Sequence, residues 1–104
     1  MRATKSNILA YLKEIKAELL EDGIVFLALF GSFARDEQTV YSDIDIAIQK
    51  EKDYLKNRTA YNYFDEVLKI KTLIEKKFHR NSDVFDLDSD SSMKENIQKE
   101  LVYV

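Results

Sequence analysis

GSFARDEQTVYSDIDIAI, residues Gly31 to Ile48, is the stretch on which the reading of this chain turns. Before it runs IVFLALF, Ile24 to Phe30, an unbroken apolar segment with β-branched and aromatic residues and the length of one buried strand. A Gly-Ser pair that leaves such a strand for a short helical turn offers free backbone N–H groups and a hydroxyl, the groups that take up a phosphate. Further on stand Asp43 and Asp45. Residues i and i+2 of a strand share a face, so the two carboxylates lie side by side while Ile44 points the other way. Their mutual repulsion is relieved by a divalent cation, and a hard, oxygen-liganded ion such as Mg²⁺ suits a site that also holds phosphates.

Working outward, the 104 residues make one small domain, 1–104, with a single core and no room for a second substrate-binding domain of normal size. Hydrophobic residues at 45% and charged residues at 34% describe a globular chain. The net charge of −3 argues against non-specific nucleic-acid binding, which draws on a basic surface that releases counterions, and so against a polymerase. There is no cysteine, which excludes a disulfide framework and a thiolate metal site. Lys13, Glu14, Lys16 and Glu18 interrupt any apolar run near the start, no stretch approaches transmembrane length, and the expected location is the cytoplasm.

Along the chain, Ile8, Leu12, Ile15 and Leu19 recur at helical spacing and predict an amphipathic helix over about Thr4 to Asp22, capped by Thr4 or Ser6 and ended by Gly23. Strand one is Ile24 to Phe30, the turn and short helix Gly31 to Arg35, and strand two Asp43 to Gln49. Lys50 to Arg58 reads as a charged loop or helix entrance. A long helix follows over Ala60 to Phe78, with Tyr63, Phe64, Val67, Leu68, Ile74 and Phe78 on its buried stripe, Ile70 at the edge, and Leu73 pointing away. Strand three is Asp83 to Leu87, and a short helix over about Met93 to Glu100 leads to an apolar end, Leu101 to Val104. This order predicts an α+β domain with a small mixed sheet backed by helices.

The set Gly31-Ser32, Ala34-Arg35 and Ser42-Asp43-Ile44-Asp45 resembles the signature of minimal nucleotidyltransferase (MNT) domains of the DNA polymerase β superfamily. The resemblance implies the polymerase-β-like nucleotidyltransferase fold and transfer of a nucleoside monophosphate, AMP from ATP, to a hydroxyl. It assigns Gly31, Ser32, Arg35 and Ser42 to nucleotide binding, and Asp43 and Asp45 to two Mg²⁺ ions. The third carboxylate of the family lies in an apolar-Asp-Leu segment on a later strand; Phe85-Asp86-Leu87 fits, so Asp86 joins Asp43 and Asp45 as catalytic and metal-binding residue. Asp83 and Asp88 compete with it; Asp86 and Asp88 share a strand face while Asp83 lies on the other, so geometry excludes Asp83 more firmly than Asp88, and Asp86 is preferred to both. Where the family carries Gly after the Arg, this chain has Asp36, which tolerates a left-handed backbone but adds negative charge. Domains this small resemble the antitoxin of toxin–antitoxin pairs, whose partner is a helical HEPN protein that receives the AMP. The alternative is a catalytically weak or inactive binding module that neutralises its partner by occlusion. Leu73 with Leu101, Val102 and Val104 is expected to form an apolar patch for that partner or for a homodimer.

Overall fold

Helix α1 (Lys5–Glu21) begins where the Thr4 hydroxyl accepts the Asn7 amide at 3.1 Å. It buries Ile8, Leu12, Ile15 and Leu19, one row at i, i+4, i+7 and i+11. Gly23 then turns the chain at φ +95° into β1 (Ile24–Phe30). After a four-residue helix, α2 (Gly31–Ala34), and a loop, β2 (Ile44–Lys50) runs back antiparallel to β1. A single turn, α3 (Tyr54–Asn57), and the long α4 (Ala60–Phe78) cross over to β3 (Ser82–Asp86), which lies parallel to β2. The short α5 (Lys94–Gln98) leads to β4 (Val102–Tyr103), antiparallel to β1 on its other side. The sheet order is β3-β2-β1-β4, mixed as expected, in a computed structural model that describes all 104 residues.

The sheet has two unlike faces. Ile44, Ile46 and Ile48 of β2, with Leu27 and Leu29 of β1 and Val84 of β3, pack against α1 and α4 in the main core. The opposite face carries a smaller cluster, Phe30, Ala47, Leu87 and Ile97, with Phe26, Phe85 and Leu101 around it. Only the short α5 contributes helix to this second face, through Ile97. No helix is long and apolar enough to cross a membrane.

Three expectations shift. The α4 stripe is rotated: Glu66, Ile70, Ile74 and Phe78 are buried, Leu73 packs against the core, and Phe64 and Leu68 stand 71% and 62% exposed. Apolar residues surround α4 on more than one side, so periodicity alone leaves two candidate faces, and contact with the sheet selects the row that includes Leu73. The apolar patch expected from Leu73, Leu101, Val102 and Val104 is therefore absent: Leu73, Val102 and Val104 pack on the main core and Leu101 on the second cluster. The Val104 amide also bonds the Leu27 carbonyl at 3.3 Å, tying the C-terminus to β1. Lys50 to Arg58, read as a charged loop or helix entrance, contains α3, whose Tyr54 is 1% exposed and lies where a Cβ on Gly23 would stand.

Candidate active site

The sheet register brings the acidic residues together. Asp45 of β2 pairs with Phe30 of β1 on one side and with Asp83 of β3 on the other. Paired residues of adjacent strands point to the same face, so Asp45 and Asp83 stand side by side on the sparsely covered face. Asp43, two residues before Asp45, is exposed at the entrance to β2 on that side. Burial pushes the Asp45 carboxyl up to about 6, helped by the negative charges of Asp83 and Asp43 and opposed by Arg35.

Gly31 closes the site from the β1 end. Its φ is +78°, a left-handed backbone that side-chain-bearing residues rarely adopt, and a Cβ there would stand 2.2 Å from Oδ2 of Asp45. The missing side chain thus lets the Gly31 turn lie directly against the Asp45 carboxylate. Asp36, in the place of the family glycine, sits at φ +56°, so the turn takes the left-handed conformation that Asp tolerates.

The structure does not bring Asp86 to Asp43 and Asp45. Asp86 pairs with Ile48 and faces the helix side, where its carboxylate accepts the Tyr63 hydroxyl, the Lys50 ammonium at 3.0 Å and the Asp88 amide at 2.8 Å. These donors hold its pKa below the usual carboxylate range against the opposing effect of burial. Asp88 is drawn into the same cluster by Gln49 at 2.9 Å and Lys50 at 3.6 Å. Strand parity sets Asp83 apart from Asp86 and Asp88, but the exclusion of Asp83 drawn from it does not hold: which parity meets Asp45 is fixed by the β2–β3 register, and that register sets Asp83 beside Asp45.

Two other expected residues are already engaged. Arg35 donates to Glu37 at 3.2 Å and to Glu100 at 2.8 Å, so it meets a phosphate only by leaving those carboxylates. The Ser42 hydroxyl accepts the Thr39 amide at 2.9 Å and closes the turn ahead of Asp43. Ser32 is half-buried in α2, directly after Gly31.

The donor set fits a hard divalent cation: Asp43, Asp45 and Asp83 offer only carboxylate oxygens, and their crowding is what a cation would relieve. No three acidic or imidazole side chains converge as a ready metal cage. Mg²⁺ is usually held by one or two carboxylates with the substrate's phosphates completing its shell, so such an ion would take part of its shell from the substrate.

Comparison with known proteins identifies the family. A family model described as polymerase beta, nucleotidyltransferase, matches residues 13–104. "Putative protein adenylyltransferase MJ0126" of Methanocaldococcus jannaschii is 37% identical over 105 residues, which cover 97% of this chain and 98% of that protein. "Putative protein adenylyltransferase MJ1379" of the same organism is 34% identical over 108 residues, again 97% of this chain and 98% of the relative. Among solved structures, one described as a putative minimal nucleotidyltransferase superposes with a TM-score of 0.72 at 19% identity, covering 98% of this chain and 97% of that one. A toxin–antitoxin crystal structure with AMP-PNP gives 0.59 at 18% identity, over 97% of this chain and 72% of that one. The family model and the relatives match along nearly the whole length, and the chain belongs to the polymerase beta nucleotidyltransferase family.

Proposed function

We propose that this nucleotidyltransferase moves AMP from ATP to a hydroxyl of a separate protein, with Mg²⁺, as the antitoxin of a pair whose partner is a helical HEPN toxin. The observation that carries the reading is the placement of Asp43, Asp45 and Asp83 on one face against the Gly31 turn. Relatives named protein adenylyltransferases over their full length support AMP as the group and protein as the acceptor. The toxin–antitoxin neighbour with AMP-PNP supports a toxin partner and ATP.

In this reading Gly31 and Ser32 receive the terminal phosphates, and Arg35 exchanges Glu37 and Glu100 for phosphate charge. Ser42 holds its turn. Asp43 and Asp45 would hold the divalent ions, and Asp83 would complete the set in place of Asp86. The acceptor oxygen bonds to the α-phosphorus as its bond to the bridging oxygen breaks. Pyrophosphate leaves, and Asp83 takes the hydroxyl proton. Divalent ions held there would supply charge stabilisation for the attacking and leaving oxygens.

Neutralisation by occlusion is the second reading, favoured by one specific observation: Arg35 is held by two carboxylates where a phosphate would need it. Intact mass of the co-purified toxin after incubation with ATP and Mg²⁺ separates the two. An added AMP supports transfer, and a neutralised toxin of unchanged mass supports occlusion. Calorimetry adds a test of the site itself: ATP should bind weakly without a divalent ion, because the carboxylates face the triphosphate with like charge, and equal affinity with and without Mg²⁺ would refute the metal-bridged arrangement.

A further inference from the structure

Arg80 follows the C-cap of α4 and precedes β3, outside the residues the signature picks out. One of its guanidinium nitrogens donates to two carbonyls of the loop before β2, Thr39 at 3.1 Å and Ser42 at 2.8 Å. The guanidinium also stacks over the ring of Phe33 in α2, its carbon 5.2 Å from the centroid, and Phe33 is fully buried. A single side chain thus joins the α4–β3 connection, the short helix after the Gly31 turn, and the segment that enters β2.

The Ser42 carbonyl belongs to the peptide that leads into Asp43, so its hydrogen bond orients the backbone from which the Asp43 side chain projects. The turn behind it is closed by its own bonds, Ser42 amide to Thr39 carbonyl at 3.1 Å and Thr39 amide to Ser42 hydroxyl at 2.9 Å. Beyond Asp43, the Ile44 amide bonds the Asn81 carbonyl at 3.0 Å. Between those points little else packs: Val40 and Tyr41 are 79% and 91% exposed, and an open cavity of about 410 Å³ borders Ser42, Asp43 and Arg80. A short turn with so little packing needs a tether to hold one conformation.

We infer that Arg80 is a positioning residue for the metal-facing carboxylate Asp43, acting by clamping the Thr39–Ser42 turn to Phe33 and to the start of β3. The inference rests on the metal-dependent nucleotide site proposed above. A planar guanidinium can bridge two carbonyls while lying flat on an aromatic ring. A lysine ammonium is a compact point charge without that planar face, so it does not reproduce the same contacts. Residues that orient metal ligands typically matter about 10- to 100-fold for metal affinity when removed.

The test uses the full chain with Arg80→Gln, and Arg80→Lys as the variant that keeps the charge and carries the same measurements should the Gln form fail to fold. Amide exchange of Thr39 and Ser42, measured without nucleotide, should accelerate about tenfold while α1 amides stay protected. ATP affinity in the presence of Mg²⁺ should weaken about tenfold, and affinity without the ion should not change. In an Asp43→Asn background the Arg80 substitution should add no further loss, because its effect runs through Asp43. Unchanged exchange at Thr39 and Ser42, an equal loss with and without Mg²⁺, or an undiminished loss in the Asp43→Asn background would each overturn the inference. A parent chain that binds no nucleotide at all would instead overturn the transferase reading, and the exchange measurement would still decide whether Arg80 holds the turn.

Discussion

Replacing Gly31 by Ala tests how closely the fold and the acidic face are joined. At φ +78° any L-residue is strained by about 1–2 kcal/mol. The new Cβ would also stand 2.2 Å from Oδ2 and 3.0 Å from Cγ of Asp45, so that carboxylate must rotate away. An off-rotamer shift adds about 0.5–1.5 kcal/mol. The two costs together come to ~2–3 kcal/mol, which in a domain of this size lowers the melting temperature by about 10–20 °C. Thermal unfolding followed by circular dichroism in metal-free buffer measures this directly. In an Asp45→Ala background the carboxylate is gone, so the same Gly31→Ala change should cost only the backbone strain, about 1–2 kcal/mol. Equal losses in both backgrounds would show that the Asp45 contact does not constrain position 31. A loss under about 0.5 kcal/mol in the parent chain would refute the strain argument as well.

Asp83→Asn and Asp86→Asn should show opposite profiles. The first abolishes transfer while unfolding stays within about 1 kcal/mol of the parent, and the second keeps transfer while costing about 1–3 kcal/mol, because Tyr63 and Lys50 lose a charged acceptor; toxin mass analysis and urea unfolding on both variants check this. Asp45, raised from 3.8 to about 6 in the fold, binds its proton more tightly folded than unfolded, so its contribution to stability is full below about pH 4 and is lost as pH rises through 6. Asp45→Asn should therefore be more stable than the parent at pH 8, by about 1–2 kcal/mol after solvent screening, and level with it at pH 4; a pH series of urea melts without metal reads the crossover.

The strands were legible because their signals are short-range. The apolar run Ile24 to Phe30 and the alternation through Asp43 to Gln49 correspond to β1 and β2 within a residue. Asp43 and Asp45 need nothing beyond strand parity. The third carboxylate needs more, since Asp83 and Asp86 are both plausible until the register of β3 against β2 is known, and that register is a long-range property absent from local pattern. The sign available in sequence was composition: Lys50 and Tyr63 supply Asp86 with partners, but they lie 36 and 23 residues away. The same limit explains α4, where Phe64 and Leu68 carry the hydrophobicity of core residues yet only the sheet decides which side of the helix is inside. Arg80 was invisible for a different reason. Its partners are backbone carbonyls, which leave no trace in side-chain identity.

The two faces of the sheet have a consequence for how variants of this chain would be recovered. Almost everything that holds the chain together lies on the helix-covered side, whereas Asp43, Asp45 and Asp83 crowd like charges on the other. Neutralising one of them relieves repulsion and leaves the core untouched. Selection for solubility, yield or heat resistance would therefore enrich chains that fold better and transfer nothing, and no bulk measure of folding would reveal what they had lost. Only a screen that reads the modified acceptor would keep the acidic face intact.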